Sequence, residues 1–323
     1  MAKATAIAHA IQGLVKYHGL KDATRRIPYH DSISVCVEEL TTKATIEFDT
    51  QYPEDLVEIN GEPGNGVEIA RVLAVISPLR ALATEKACFK LSSENSLSQG
   101  KGLGFSASAF AAIAKASSAA LKLGIKPDRL SEVARLGAGS ASRSLVGGFS
   151  IWYANKKGRS FAEQLAPGQN LRLAMAIVPI PSNVRTDRAH EESVKSPFFA
   201  ARLKEVKGTL PQMLEAIRSG RLDEVGRLAE AESLSLHAVT MTGTSGLVLM
   251  SQETISIIQA IVSMRETEGI PVWYSLDTGP SVYVNTNPEF INLVCDELRK
   301  YTDFEVLKSN VGGPARIIDD HLF

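Results

Sequence analysis

The stretch GKGLGFSASAFAAIAKASSAAL, residues 100–121, decides how the first half of the chain is organised. Its three glycines lie within five residues, and they let backbone N–H groups approach a ligand without obstruction by a Cβ atom. The small residues that follow predict a helix from about Ser106 to Leu123, ending at Gly124. A helix N-terminus offers unpaired N–H donors and a partial positive charge, which favours a phosphate cradle. The same composition also suits a helix packed closely against a sheet, so the stretch alone leaves both interpretations open.

Two common nucleotide-binding motifs are missing from the stretch, so phosphate binding would depend on other residues in it. No GK[ST] sequence closes a Walker loop, and the glycines do not have the G-x-G-x-x-G spacing of a dinucleotide fingerprint. A cation and two hydroxyls lie beside the glycines instead. The residues predicted to hold phosphate are Lys101, Gly102, Gly104, Ser106 and Ser108.

Composition sets limits on the class of protein. The chain has 323 residues, a net charge of −1, 44% hydrophobic residues and 22% charged residues, which is typical of a soluble globular protein. The near-zero charge argues against a general binder of nucleic acid or anionic membranes. No apolar run is long enough to span a bilayer, and the N-terminus lacks a secretory signal. The three cysteines are far apart and have no metal-binding spacing, so we expect reduced cysteines in a cytoplasmic protein.

Hydrophobic patterns predict an α+β chain of two domains, residues 1–165 and 166–323. In the first domain, SISVCVEEL and KATIEFDT are predicted as two strands separated by a polar connection, and residues 66–83 are predicted as a helix. The polar, turn-rich segment 158–170 places the boundary. The second half is predicted as strand, helices, two strands, helix and a final strand. That order suits a sandwich with helices on one face of an antiparallel sheet.

Three further segments carry side chains suited to chemistry. Arg143 is the bulky charged residue of GAGSASRSLVGG (137–148), and its guanidinium could grip a carboxylate or phosphate, or could instead pair on the surface. Asp277 ends an apolar strand before Thr-Gly-Pro, as a general base or as an ordinary turn residue. Residues 13–35 concentrate cations, tyrosines and histidines, which are usually solvated loop charges. His18 and His30 have no third ligand at metal spacing, so no protein-held metal site is predicted.

These stretches together resemble the GHMP kinase superfamily and, within it, the mevalonate-pathway decarboxylases. The motifs occur in the family's order over most of the chain, and they are LVKYHGLKD, RIPYHDSISV, GLGFSASAFAA, GSASRSLVGGF and YSLDTGPSV. The resemblance implies a GHMP kinase-like fold with an N-terminal ribosomal-S5-like α/β domain and a C-terminal ferredoxin-like sandwich. It also implies a small-molecule substrate as partner, ATP and Mg²⁺ as cofactors, and a homodimer.

The resemblance further implies roles for individual residues. Members phosphorylate the tertiary 3-hydroxyl of a mevalonate phosphate and then lose phosphate and CO₂. Asp277 would be the base or orienting group for that hydroxyl, Lys16 would neutralise charge beside it, and Arg143 would grip the C1 carboxylate. The glycine stretch would hold the ATP phosphates. The expected substrate-binding residues are Tyr17, Ser142, His18 and Ser34.

Departures from the family pattern point to the substrate. Diphosphomevalonate decarboxylases usually have IKYWGK where this chain has VKYHGL, so a lysine becomes Leu20, and an arginine falls near Glu68. Less positive charge favours (R)-5-phosphomevalonate as substrate and isopentenyl phosphate as product. The sequences AHAIQGLVKYHG and PYHDSISVC also resemble the phosphomevalonate decarboxylase branch. Phe105 replaces a serine of the loop. This replacement leaves open an alternative function, an ATP-independent decarboxylase of mevalonate 3,5-bisphosphate. Two further alternatives are a diphosphomevalonate decarboxylase and a catalytically silent ligand sensor.

Overall fold

The computed structural model describes residues 2–97, 103–182, 184 and 186–323. Within those ranges the strands are β1 (Ala2–Val15), β2 (Leu20–Asp22), β3 (Ile27–Pro28), β4 (Ser32–Asp49), β5 (Leu56–Ile59), β6 (Glu62–Pro63), β7 (Cys88–Asn95), β8 (Phe149–Trp152), β9 (Ala162–Ala166), β10 (Ala174–Val178), β11 (Val272–Leu276), β12 (Val282–Thr286), β13 (Leu307–Ser309) and β14 (Arg316–Ile318). The α-helices are α1 (Gly66–Ala83), α2 (Phe105–Ala120), α3 (Pro127–Gly137), α4 (Ala141–Val146), α5 (Thr186–Ser193), α6 (Phe199–Arg218), α7 (Leu222–Met241), α8 (Gln252–Glu268) and α9 (Ile291–Leu298).

The first sheet is a mixed sheet built around the long antiparallel pair β1 and β4. Its order is β14-β1-β4-β7-β5-β6, with β8 and β9 added on β4, and β5 runs parallel to β7. The two strands predicted from SISVCVEEL and KATIEFDT are one continuous strand, β4, so the predicted break is wrong. The pairing with β1 shifts register between His9 and Ala10, opposite the polar residues of β4. A bulge therefore accommodates the polar segment without ending the strand.

Helix α2 packs on β1 and β4 and fills the centre of the first domain. Most of its alanines are buried, and Ala107, Ala111 and Ala114 are fully so, which lets the helix approach the sheet closely. The helix begins at Phe105 and ends at Ala120, close to the predicted span. The packing interpretation of the opening stretch therefore holds along the body of the helix. Packing does not account for the N-terminus of the helix, because that end faces a cavity.

The second sheet is antiparallel with the order β11-β12-β10-β13. Numbered within the second half of the chain this order is 2-3-1-4, the arrangement of a ferredoxin-like sandwich. All five residues of β11 and of β12 are buried, so both faces of the sheet are covered. Trp273 and Tyr283 pack with α6 and α7, while Val272 and Val284 pack with α8 and α9. The predicted placement of helices on one face alone is wrong.

The division into two domains does not follow the chain strictly. Within the segment 158–170, predicted as a polar boundary, residues 162–166 form β9 and pair with β8 of the first sheet. Near the other end, β14 returns to the first sheet and pairs with β1 at Thr5, Ala6 and Ile7. The strand predicted from FEVLKSN is β13, and it is therefore not the final strand. None of the helices in these ranges combines the length and apolar character needed to cross a membrane.

Candidate active site

A cavity of about 430 Å³ opens where the two sheets meet. The end of β1, the N-termini of α2 and α4, and the turn after β11 all contribute to its wall. Residues from four separate sequence motifs therefore face one space, and they include Lys16, Tyr17, Gly104, Ser106, Arg143 and Asp277. The geometry brings together all three residues that the sequence predicted as catalytic, Lys16, Arg143 and Asp277.

Asp277 is fixed at the end of β11 by the main chain of β1. The Gly13 N–H donates to both carboxylate oxygens of Asp277, at 3.1 and 3.2 Å. The backbone carbonyl of Asp277 lies 3.1 Å from His237 Nε2. Burial raises the pKa of the Asp277 carboxyl, and Lys16, the Gly13 N–H and Arg143 oppose the rise. A carboxylate held in this way has a fixed direction and an enhanced affinity for a proton, as a general base requires.

Gly13 is the residue that makes this approach possible. A Cβ atom at this position would lie 2.8 Å from Asp277 Oδ1 and 3.0 Å from Lys16 Cγ. The first distance is shorter than real Cβ contacts and the second is tighter than most of them, so the Asp277 carboxylate would have to move and Lys16 would have to adjust. Glycine at this position therefore lets the carboxylate lie directly against the strand.

Gly13→Ala should lower kcat more than ~10-fold with the fold retained, because displacing a reacting group by a fraction of an ångström disturbs in-line positioning. The matched control is Gly208→Ala on α6, where a Cβ would meet nothing within 4 Å. Steady-state turnover and circular dichroism of both variants make the comparison. Equal turnover in the two variants would contradict the role given to the Gly13 contact.

Lys16 lies just beyond β1 with its ammonium group buried in the same place. Its Nζ donates to the Gly13 carbonyl at 2.6 Å and to Ser275 Oγ at 2.8 Å. Burial lowers the pKa of Lys16 to about 8, although Asp277 and Glu232 act to raise it and Arg202 and Arg143 lower it further. Lys16 is therefore a cation near neutral pH that loses its charge within the range accessible to an assay.

The pKa of Lys16 predicts an alkaline limb in the pH profile. A lysine carries its charge below its pKa, so kcat/KM is expected to fall as the pH rises through about 8. Lys16→Met should lower the rate and remove this limb, whereas Lys204→Met, at an exposed position of α6, should keep it. A profile that stays flat from pH 7 to 10 in the unaltered protein would exclude a protonated Lys16 from the reaction.

Arg143 is a buried cation with an incomplete set of partners. Only 3% of the residue is exposed, and its Nε and Nη1 atoms have no hydrogen-bond partner among the described residues. The guanidinium lies over the rings of Tyr17 and Trp152, with centroids 5.4 and 5.9 Å away. Burial lowers the pKa of Arg143, opposed by Tyr17 and Asp277. Arg143 also lines the cavity, and a guanidinium with spare donors is suited to an anionic ligand.

Aromatic and imidazole rings form the wall beside Arg143. Tyr17 meets Trp152 edge-on at 4.8 Å and stacks on His190 at 5.0 Å. His18 is buried, and its two ring nitrogens contact Ser193 Oγ at 3.0 Å and Thr278 Oγ1 at 2.9 Å. Burial lowers the pKa of His18 well below its ordinary value and that of His190 to about 4, so both rings are neutral at pH 7. His18 thus lines the cavity, with its nitrogens engaged by hydroxyls.

The N-terminus of α2 faces the cavity and has no side-chain cap. Gly104 adopts a φ of 70°, a backbone conformation that glycine reaches without strain, and Ser106 is exposed at the cavity wall. These features suit a phosphate group at the helix N-terminus. Lys101 and Gly102, the other predicted members of the loop, lie outside the described residues.

The structure places three predicted serines away from the cavity wall. Ser108 Oγ donates to the Phe105 carbonyl and contacts Thr42 Oγ1 at 2.7 Å between helix and sheet. Ser142 Oγ donates to the Gly139 carbonyl at 2.7 Å, and Ser34 Oγ lies 3.3 Å from Ser150 Oγ. All three are fully buried. The geometry therefore corrects the direct ligand roles predicted for Ser108, Ser142 and Ser34, because their hydroxyls complete the packed interior.

The sequence motifs assigned no role to several other cavity residues. Arg26, in the turn between β2 and β3, forms an ion pair with Asp187 of α5 at 3.6 Å, and both line the cavity. On α1, Glu68 faces the cavity as the proposed alignment requires, but Arg71 faces it also. The charge of that helix face is thus less negative than Glu68 alone suggested. A helical spacing of three residues between Glu68 and Arg71 was the available signal.

The donor set fits a nucleotide better than a protein-held metal. No group of three or more acidic, histidine or cysteine side chains is placed to hold a metal within the described ranges. The phosphates of a nucleotide fit the uncapped N-terminus of α2, with Gly104 at its start and the Ser106 hydroxyl at the cavity wall. A divalent cation in this cavity would accordingly be held chiefly by phosphate oxygens.

Comparisons with known proteins identify the same family in both halves of the chain. A model described as diphosphomevalonate decarboxylase-like N-terminal domain matches residues 8–162, and one described as mevalonate 5-diphosphate decarboxylase C-terminal domain matches residues 186–315. The phosphomevalonate decarboxylase of Haloferax volcanii is 40% identical over 98% of each chain.

Solved structures confirm the two-domain α+β fold. Mevalonate diphosphate decarboxylase from Staphylococcus aureus has a TM-score of 0.92 at 28% identity, covering 98% of both chains. MDDEF in complex with MVAPP, AMPPCP and magnesium has a TM-score of 0.90 at 28% identity, covering 99% of both chains.

Proposed function

The chain belongs to the diphosphomevalonate decarboxylase family of the GHMP kinase superfamily, and from that premise we propose that it is an ATP-dependent phosphomevalonate decarboxylase. It converts (R)-5-phosphomevalonate to isopentenyl phosphate with release of CO₂, ADP and phosphate. The observation that carries the proposal is a buried Arg143 with unpaired donors, in the same cavity as Asp277 and Lys16. That set provides a grip for a carboxylate, a base for a hydroxyl and a cation for developing charge.

The roles of the residues follow from their contacts. Arg143 holds the C1 carboxylate through its free donors. Asp277 accepts the proton of the 3-hydroxyl, or orients it, at a position fixed by the Gly13 N–H. Lys16 stabilises the negative charge that develops on the oxygen as the proton leaves. A tertiary alcohol is a weak nucleophile, so a carboxylate and a cation are needed beside the same oxygen.

ATP and Mg²⁺ belong to the proposal as the source of the phosphoryl group. ATP supplies the phosphate that makes O3 a leaving group, and a magnesium ion neutralises its charge. Gly104, Ser106 and the first amides of α2 would hold the phosphates, and Lys101 and Gly102 would complete the loop. Support comes from the uncapped helix N-terminus and from the related structure that contains AMPPCP and magnesium.

The proposed preference for a monophosphate rests on sequence and charge. A relative 40% identical over nearly the whole chain is a phosphomevalonate decarboxylase, while a diphosphomevalonate decarboxylase of Aspergillus fumigatus is 28% identical over 87% of this chain. Leu20 replaces a lysine of the diphosphate enzymes, and Glu68 and Asp187 place carboxylates along the cavity. Arg26 and Arg71 remain as cations for a single phosphate. We further propose that the protein is cytoplasmic and that it forms a homodimer. Sedimentation equilibrium of the purified protein would test the homodimer.

A paired-substrate assay tests the proposed function. Purified protein is incubated with Mg²⁺ and either 5-phosphomevalonate or 5-diphosphomevalonate, with and without ATP, and ADP and CO₂ are measured. We expect ATP-dependent release of both products, at a higher kcat/KM for the monophosphate. A preference for the diphosphate would overturn the substrate. CO₂ release from mevalonate 3,5-bisphosphate without ATP, and no ADP from the 5-phosphate, would instead establish the ATP-independent rival suggested by Phe105.

A further inference from the structure

The main chain of Lys16 is held on both sides by a buried ion pair from the second domain. Glu232 Oε2 accepts the Lys16 N–H at 3.0 Å, and Arg202 Nη2 donates to the Lys16 carbonyl at 2.8 Å. Arg202 Nη2 also lies 3.0 Å from Glu232 Oε2, which closes the arrangement. Arg202 belongs to α6 and Glu232 to α7. Two helices of the second domain thus grip one residue at the end of β1.

Burial reduces the contribution that the Arg202–Glu232 ion pair can make to the stability of the fold. The side chains of Arg202 and Glu232 are each only 2% exposed, and Arg202 Nη1 has no hydrogen-bond partner among the described residues. Removing two charges from water costs free energy that their mutual attraction recovers only with excellent geometry, and apolar replacements are often equally stable. Stability alone therefore gives little reason for the pair. Its hydrogen bonds instead go to the residue whose ammonium group faces Asp277.

We propose that Arg202 and Glu232 are positioning residues that fix the main chain of Lys16, and with it the direction and charge of the Lys16 ammonium group in the reaction. The inference rests on the proposed function for the part played by Lys16, and it goes beyond that function by placing a determinant of activity on α6 and α7. Neither side chain is among the residues that line the cavity. Their effect passes through the Lys16 peptide.

The charges around Lys16 give the proposal a signature. Four charged groups act on its ammonium group: Asp277 and Glu232 raise the pKa of Lys16, and Arg202 and Arg143 lower it. They come from the turn after β11, from α7, from α6 and from α4. Removing the charge of Glu232 should therefore move the alkaline limb to lower pH, and removing that of Arg202 should move it to higher pH. Opposite shifts would show that both charges act on the Lys16 ammonium group, and a lower kcat in the same variants would show that its position has changed.

The first experiment measures the pH profile of kcat/KM for Glu232→Gln, Arg202→Met and Arg202→Lys. We expect opposite shifts for the first two, each with at least ~10-fold lower kcat from misplacement of Lys16. Partial recovery is expected for Arg202→Lys, which retains a donor and a charge. The matched control is Glu224→Gln with Arg227→Met, which removes an ion pair on the solvent side of α7. Folded variants with the limb at its original pH and unaltered kcat would overturn the proposal.

A second experiment covers the case in which the single variants fail to fold. It has two measurements, and the second of them, by NMR, does not depend on activity. The double variant Arg202→Met/Glu232→Met leaves no unpaired buried charge, so it should fold, yet kcat should still fall at least ~10-fold. Separately, NMR of ¹³Cε-lysine-labelled protein, with the Lys16 signal assigned from Lys16→Met, gives the pKa of Lys16 directly. An unchanged Lys16 signal and pKa in the double variant would refute the positioning role. An inactive unaltered protein in which the same variant shifts the Lys16 signal would refute the proposed function and leave the positioning role supported.

Discussion

Asp277→Asn is expected to lower kcat by at least ~10²-fold while leaving the KM for ATP within about twofold, as loss of a general base does. Asparagine has the same shape and can still accept the Gly13 N–H, so the turn after β11 should keep its conformation. It has no carboxylate to receive the proton of the 3-hydroxyl and no charge to attract Lys16. The loss should therefore appear in the chemical step. Rapid-quench measurement of ADP in a single turnover separates that step from product release.

The control for this prediction is Asp223→Asn, an exposed aspartate in the first turn of α7. It removes the same charge without touching the cavity and should retain full turnover. Asp277→Asn turnover equal to that of the control would show that the carboxylate is a turn residue. The melting temperature of both variants is measured in parallel, so a loss of fold is distinguished from a loss of chemistry.

Arg143→Met is expected to stabilise the ligand-free protein and to remove most of its activity. The guanidinium is buried, and two of its nitrogens have no hydrogen-bond partner in the part of the chain that the structure describes. Replacing such a charge with an apolar side chain of similar length removes a desolvation cost of about 1–4 kcal/mol. At about 2–4 °C per kcal/mol, the melting temperature should rise by several degrees. The same substitution removes the charge-assisted grip on the carboxylate, so kcat/KM should fall about 10²–10³-fold. Differential scanning calorimetry and steady-state kinetics measure the two effects.

Two comparisons make the Arg143 prediction specific. Arg143→Lys should remain a poor enzyme, because an ammonium group cannot make the two parallel hydrogen bonds of a guanidinium. Arg129→Met, at an exposed arginine of α3, should change neither quantity by much. Lower stability together with normal turnover in Arg143→Met would show that the arginine supports the fold and does not bind substrate.

The sequence predicted those parts of the site that lie within local motifs. Asp277 after an apolar strand, Arg143 among small residues and the glycine stretch before α2 are recognisable from adjacent residues. Helix geometry separates the two serines of that stretch, because residues two apart on a helix point about 200° apart. Ser106 can therefore face the cavity while Ser108 faces the sheet, as found. That distinction was available from the sequence once the start of the helix was known.

Other parts of the site depend on contacts that no local pattern contains. Glu232 and Arg202 lie 216 and 186 residues from Lys16 along the chain, on helices whose hydrophobic pattern indicates only that one face is buried. The continuity of β4 depends on a bulge formed with β1, and the polar residues by themselves resemble a loop. One face of the second sheet is covered by α6 and α7 of the same domain, and these two helices also contact β1 of the first domain.

The pairing of β14 with β1 has a consequence for synthesis of the protein. Chains are made from the N-terminus and early domains generally begin to fold first, yet one side of β1 gains its partner only when residues 316–318 have left the ribosome. Until then, the strand that carries Gly13 and leads to Lys16 has an exposed edge, open to pairing with another nascent chain. Pairing of this edge of β1 at Thr5, Ala6 and Ile7 is thereby delayed until residues 316–318 are available. We expect ribosome-bound chains stopped before residue 316 to be more prone to aggregation than the released protein.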